Sequence, residues 1–200
     1  MKIKFLNKNK TEPYRKFYSI YEKAIKKNQK SIDAICISSF NASNNEVDSR
    51  FVNLKFIDNE DWVFFSNYES KKARDFEDHD QISALIYWSS INVQIRIKAK
   101  ISKLDEKISD NYFSNRSSKK NALAIMSEQS KEIESYDAFV KKYNNFFDAE
   151  GSFSNRPSYW GGYFFRPFYI ELWEGHASRL NKREVYTCIG KEWEKIYLQP

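Results

Sequence analysis

The stretch INVQIRIKAKIS, residues 91–102, decides the fold class. Every odd position from Ile91 to Ile101 is apolar and every even position from Asn92 to Ser102 is polar. Side chains of a strand alternate between faces, so this period of two predicts a strand with one buried and one wet face. Working outward, IDAICISSF (32–40), SRFVNLKFI (49–57) and DWVFFSN (61–67) are short β-branched and aromatic runs split by polar turns, the pattern of an antiparallel meander. Beyond, GGYFFRPFYIELWEG, REVYTCIG and EWEKIYLQP return to strand composition, with GGY and IGKE supplying turns.

Helical patterns flank these runs. EPYRKFYSIYEKAIKKN (12–28) sets Phe17, Ile20, Tyr21, Ala24 and Ile25 at helical spacing, with Pro13 in the first turn, where a missing N–H is tolerated. SKKARDFEDHD (70–80) has the length and charge of a short helix, with Ser70 placed to cap it. From Asp105 to Phe147 the chain is polar and nearly free of Gly and Pro, which predicts two or three helices inserted between strands, one of them around IESYDAFVKKYNNFF. About six or seven strands suffice to close a small barrel. The expected architecture is mainly β with flanking helices (α+β). A flexible arm over 1–11 precedes a single domain over 12–200, with the helical insertion at about 105–147 and an Asn/Ser-rich loop at 41–49.

The chain has 200 residues, enough for one domain to bury its apolar surface without disulfide or metal staples. Lys plus Arg exceed Asp plus Glu by 33 to 27, a net +6 that suits small anionic ligands at least as well as nucleic acid. Cys36 and Cys188 each sit in an apolar strand-like run and read as buried thiols of a reducing compartment, so a cytoplasmic protein is expected. No run approaches about 18 apolar residues, and MKIKFLNKNK lacks the apolar core of a signal peptide; no membrane partner is expected.

Several chemistries lack their parts. His79 and His176 stand far apart, with no HExxH or CxxC, which argues against a metal site. Neither a GxxxxGK[ST] loop nor a GxGxxG turn occurs, and candidate bases for a Ser-His-Asp or Cys-His hydrolase are few. Chemistry is therefore assigned to a bound cofactor. What remains is a scatter of cations beside aromatics. Arg50 and Lys55 read as solvated strand residues or, given a bend between them, as parts of one pocket. Lys71 and Lys72 stand at a predicted helix start, where cations are disfavoured unless an anion lies between them, although exposed lysines also occur at such ends. Tyr112 and Arg116 share a helix face by packing or by function, and Gln94 lies on the outward face of the strand at 91–102. A barrel that stacks single-stranded RNA on exposed aromatics is the reading from a different class.

Taken in order, these residues resemble the pyridoxine (pyridoxamine) 5'-phosphate oxidase family, FMN enzymes of the last step to pyridoxal 5'-phosphate. The resemblance runs from EPYRKF to WEKIYLQP and is strongest in RPSYWGGYFFRPFYIELWEGHASRLNKR (156–183). RFVNLK (50–55), FFSNYESKKA (64–73), Gln94, YFSNR (112–116) and EQS (128–130) match in register. It implies an FMN-binding split β-barrel and a homodimer with two flavin sites at the subunit interface. By the same likeness Arg50, Phe51, Val52, Lys55, Phe65, Ser66, Lys71, Lys72 and Gln94 hold FMN from one side. Gln129, Ser130, Trp173 and Arg183 complete it. The substrate phosphate lies against Lys55, Tyr112, Arg116 and Lys120, while Arg179 and Asn181 approach the reacting carbon as the catalytic pair.

Two of these positions depart from the family pattern. Lys120 stands where the family has a serine and Asn181 where it has a histidine; Asn53 and Tyr197 are lesser departures. Lys120 still donates to a phosphate, but an amide does not titrate near neutral pH as imidazole does. The implied activity is oxidation of pyridoxine or pyridoxamine 5'-phosphate, a phosphorylated pyridine, with O2 as acceptor and no nucleic-acid partner. The alternative is a related FMN oxidase or reductase acting on a different aromatic substrate, of phenazine type.

Overall fold

The computed structural model describes residues 2–149 and 152–200. Met1, the first residue of the expected arm, lies outside the described residues. In chain order the elements are β1 (Lys4–Leu6), α1 (Glu12–Lys26), β2 (Ala34–Asn41), β3 (Glu46–Asn53), β4 (Phe56–Asp58) and β5 (Asp61–Asn67). Next come α2 (Lys71–Asp78), β6 (Gln81–Trp88), β7 (Val93–Lys103), α3 (Glu106–Ser114), α4 (Ser118–Met126) and α5 (Tyr136–Ala149). The chain ends with β8 (Trp160–Glu174), β9 (Lys182–Ile189) and β10 (Glu192–Leu198). Where one domain is expected, two compact units form: Met1–Phe64, Asp75–Ser102 and Phe164–Pro200 make the first, Phe65–Arg74 and Lys103–Tyr163 the second. The inserted helices bury an aromatic core of their own, including Phe113 and Trp160, and this is the physical reason for the division.

The first unit carries the sheet, ordered β1-β4-β5-β8-β7-β6-β2-β3, with β9 on β8 and β10 on β9. Among the described residues that is ten strands, more than the sequence pattern suggests. Three differences account for the excess. QISALIYW lies outside the expected strands, yet Ile82, Ala84, Ile86 and Trp88 alternate inward, and β6 bridges β2 and β7. The run 49–57 breaks at Leu54, whose amide donates to the Asp33 carbonyl at 2.8 Å, while the Lys55 amide donates to Val63 at 2.8 Å. The chain thus turns out of β3 and restarts as β4. Finally, the arm expected to be loose supplies β1, paired in parallel with β4, and the Phe5 ring meets Tyr18 and Tyr21 edge-on. The Ile3 amide donates to the Tyr21 hydroxyl at 2.9 Å, so aromatic burial outweighs the basic composition of the arm.

The expected 41–49 loop also tightens. β2 and β3 pair as far as Asn41 opposite Glu46, leaving a short turn in which Asn45 adopts φ 56°. β7 begins after Asn92, itself at φ 50°, and buries Val93, Ile95, Ile97, Ala99 and Ile101. Against this face α1 lays Tyr14, Phe17 and Tyr21, which meet Trp62 and Trp88. Cys36 and Cys188 are free and half-buried rather than fully enclosed.

In the second unit Asp105 caps α3, accepting the Lys107 amide at 2.8 Å. Asn121 of α4 is buried and donates to the Phe113 and Phe153 carbonyls at 2.9 and 2.8 Å, tying three segments together. Two turn-chemistry expectations change here. Gly161 and Gly162 lie inside β8, not in a turn: a Cβ on Gly161 would sit 2.2 Å from the Tyr68 hydroxyl oxygen and one on Gly162 2.6 Å from Leu104 Cδ2. The glycines permit close approach of side chains to backbone. Ser70 precedes α2, but its hydroxyl donates to the Asn67 carbonyl at 2.8 Å instead of accepting a helix amide. Gly190 does turn the β9–β10 hairpin, at φ 65°.

Candidate active site

The residues singled out from the sequence fall into both units. In the second, Tyr112 on α3 places its ring on Phe65 at the end of β5, 3.7 Å between centroids and 8° from parallel, and Trp160 lies 5.3 Å from Phe65. One face of Phe65 is therefore covered by Tyr112. Arg116, just past α3, lays its guanidinium 4.4 Å over the Trp160 ring. Its Nη1 is buried with no hydrogen-bond partner among the described residues. Burial pulls this guanidinium's pKa below its ordinary value, partly offset by Tyr112 beside it, but arginine stays cationic at neutral pH. Arg116 lines a cavity of about 190 Å3 together with Lys120, Asn67, Gln129 and Trp160. Two cations, two amides and an aromatic wall thus converge on a space several water volumes large. A buried donor without an acceptor is costly, and a bound anion removes that cost.

Gln129 joins this cavity, whereas Ser130 lies exposed in the following turn at φ 73°. Lys71 and Lys72 open α2, whose first turn carries no acidic residue. Lys72 is buried and donates to the Ser70 hydroxyl at 3.2 Å, and Ser66 is buried on β5.

In the first unit the register divides the β3 residues. Arg50 and Val52 stand opposite the buried Ile37 and Ile35, while Phe51 points to the other face, 74% exposed, beside Cys36 and Leu85. Arg50 Nη1 donates to the Ser39 hydroxyl at 2.7 Å, and Ser39 donates to the fully buried Asp75 at 2.6 Å. Asp48 and Asp75 answer the Arg50 charge at 3.1 and 3.9 Å. Lys55, past the break after β3, lies 3.8 Å from Asp33.

The wet face of the sheet gathers the other residues. Leu85 pairs with Arg96 and Tyr87 with Gln94, so Phe51, Leu85, Tyr87, Gln94 and Arg96 share it. Arg96 reaches Glu171 of β8 at 2.8 Å, and Trp173 stands opposite Arg183 of β9. Glu171 is 1% exposed and also accepts from Arg183 Nε at 2.8 Å and the Tyr169 hydroxyl at 2.9 Å. Burial alone raises the Glu171 carboxyl; the hydrogen bonds from Arg183 and Tyr169 and the Arg96 charge outweigh it and hold the group below the usual carboxylate range. Glu171, Arg96 and Trp160 were not singled out from the sequence. A carboxylate between Ile170 and Leu172, both buried, is the signal that would have marked Glu171. Past β8, Arg179 is exposed at φ 60°, and Asn181 Oδ1 accepts the His176 amide at 3.0 Å, closing the loop on which both lie.

Residues 21–148 match the family model of pyridoxamine 5'-phosphate oxidase, and residues 160–200 match the pyridoxine 5'-phosphate oxidase C-terminal dimerisation region. The chain is 39% identical over 157 residues to a pyridoxine/pyridoxamine 5'-phosphate oxidase from Cytophaga hutchinsonii, covering 76% of this chain and 72% of that protein. It is 32% identical over 192 residues to the one from Trichormus variabilis, covering 95% and 89%. Among solved structures, PhzG from Burkholderia lata in complex with tetrahydrophenazine-1-carboxylic acid aligns with a TM-score of 0.87 at 25% identity, over 94% of this chain and 93% of that one. A pyridoxamine 5'-phosphate oxidase-related, FMN-binding protein from Nostoc punctiforme shares the fold, with a TM-score of 0.76 at 12% identity over 96% and 99%. The wet sheet face, the cationic cavity and these matches agree: the chain belongs to the pyridoxamine 5'-phosphate oxidase family of oxidoreductases and has its flavin-binding split-barrel fold.

Proposed function

We propose that this protein is an FMN-dependent oxidase that converts pyridoxine or pyridoxamine 5'-phosphate to pyridoxal 5'-phosphate as a homodimer, with O2 as acceptor and hydrogen peroxide as product. The observation that carries the reading is the buried, unpartnered Nη1 of Arg116 in a cavity shared with Lys120. A phosphate ester supplies the missing acceptor, and Lys120 adds a second charge. The relatives described above bear the name of this activity.

The residues present fit FMN. Lys71 and Lys72, at a helix start free of acids, suit its phosphate together with Ser66. Gln94 offers an amide beside Phe51 on the wet sheet face for a flat heteroaromatic ring, with Val52 next along β3, and Gln129, Ser130, Trp173 and Arg183 of a second copy complete the site. When bound, FMN supplies two-electron oxidation at the substrate's C4' carbon, with reoxidation by O2. The protein's share is positioning. Arg116 and Lys120 clamp the phosphate, and Tyr112 and Phe65 wall the site; such fixing of geometry is worth roughly 7 to 11 kcal/mol of barrier. Purified, FMN-loaded protein should release peroxide with pyridoxine and pyridoxamine 5'-phosphates but not with unphosphorylated pyridoxine. Equal rates with and without the phosphate would overturn the assignment.

Asn181 favours a second reading, an FMN oxidase for a different aromatic substrate, as suggested by the likeness to PhzG with its tetrahydrophenazine ligand. An amide whose oxygen accepts the His176 N–H offers no titratable proton near neutral pH. Under the first reading Asn181→His raises turnover with pyridoxine 5'-phosphate; unchanged or lower turnover supports the second.

A further inference from the structure

Glu171 is the most connected buried charge on the wet face of the sheet, and no step of the proposed reaction uses it. It gathers Arg96 from β7, Arg183 from β9 and Tyr169 from its own strand. Arg183 meets one Glu171 oxygen through both Nε and Nη2 at 2.8 Å, and its Nη1 donates to the Gln199 carbonyl at 3.2 Å. With one side of the guanidinium fork closed by Glu171 and Nη1 turned to the chain end, the remaining N–H donors have a fixed direction. A long side chain that is 25% exposed would otherwise sample many rotamers. We propose that Glu171 is a positioning residue: it locks Arg183, with Arg96 as counterweight, so that the free end of the Arg183 guanidinium is preset for the polar edge of the flavin ring. The inference rests on the assignment of FMN to a site that Arg183 of a second copy completes.

Arg96 explains why the lock takes a carboxylate and not an amide. Two guanidiniums converge on Glu171, and only a charged acceptor with two oxygens serves both: Oε1 takes Arg183 and Oε2 takes Arg96 and Tyr169. In Glu171→Gln one oxygen becomes an NH2 group facing a cation, and the fork of Arg183 loses its anchor.

The test is a double-mutant cycle on FMN affinity, read by quenching of flavin fluorescence, with the thermal midpoint of the apoprotein measured alongside. Arg183→Ala alone is expected to weaken FMN binding about tenfold or more. Glu171→Gln is expected to weaken it about tenfold in the parent chain and by less than about twofold in the Arg183→Ala background, because its effect passes through Arg183. Equal weakening in both backgrounds, or none in the parent, overturns the positioning role while leaving the flavin assignment standing. Unchanged affinity in Arg183→Ala instead overturns the flavin assignment and this inference with it. Should Glu171→Gln fail to fold, Glu171→Asp, which keeps the charge and shortens its reach, takes its place in the same cycle.

Discussion

At the scale of the residue, single groups carry the chemistry and the packing. Arg116 combines a ring contact with Trp160 and a buried donor that has no acceptor among the described residues. Lys120 shares its cavity, so Lys120→Ala should raise KM for the phosphorylated substrate by about tenfold, the worth of one charge-assisted hydrogen bond, with kcat little changed. Steady-state kinetics check this split. Gly162→Ala is expected to destabilise the protein by about 1 to 3 kcal/mol, since its Cβ meets Leu104 at 2.6 Å and Phe65 at 3.1 Å; urea unfolding measures the loss. At this scale the sequence is partly legible. Arg116 stands out by its spacing from Tyr112, and Lys120 only through the family resemblance. Glu171 and Trp160 do not, because their roles come from strands and helices distant in sequence, and Gly161–Gly162 looks like a turn until Tyr68 and Leu104 are seen beside it.

At the scale of the element, a buried carboxylate fastens the C-terminal hairpin to the first helix. Glu184 of β9 is 2% exposed; it meets Lys182 at 2.9 Å, Lys195 of β10 at 3.0 Å, Lys16 of α1 at 3.6 Å and the Tyr186 hydroxyl. Glu12 closes the cluster, accepting from Lys195 at 2.7 Å and Tyr186 at 3.1 Å. Burial raises the Glu184 carboxyl, but hydrogen bonds from Tyr186, Lys182 and Lys195 outweigh it and bring the group from 4.5 down to about 2. A carboxylate depressed on folding stabilises above its unfolded value and loses that contribution as pH falls through the folded one. The ionised Glu184 carboxylate thus stabilises the fold at neutral pH, and that contribution declines between pH 4.5 and about 2. Glu184→Gln should lower the urea midpoint at pH 7, and its deficit should shrink as pH falls through that window; a deficit independent of pH contradicts the assignment. Elements with a strong period are legible: α1 and β7 follow their alternations closely. β1 and β6 are not, since three residues are too few for a period and QISALIYW follows directly on a charged helix with no Gly or Pro to separate them.

At the scale of the whole molecule, the wet face presents Phe51, Leu85 and Tyr87, 74%, 37% and 55% exposed, around Gln94 and Arg96. Exposed apolar groups grouped this way suit a second copy, and residues 160–200 separately match a dimerisation region. Leu85→Arg places an unpaired cation beside Arg96 and should leave single chains in sedimentation equilibrium, where the parent is expected at twice the chain mass. Among the described residues no helix is long and apolar enough to cross a membrane. The division into two units was hidden in the sequence, because the helical segment reads as an insertion until its own aromatic core is seen. The central claim is that the cationic cavity exists to grip a phosphate ester, and equilibrium titration of FMN-loaded protein with pyridoxal 5'-phosphate tests it most directly. The Arg116→Ala, Lys120→Ala pair should bind it about 10- to 100-fold more weakly than the parent, with binding of unphosphorylated pyridoxal unchanged. Equal affinity for pyridoxal 5'-phosphate in the parent and the paired variant would contradict the account.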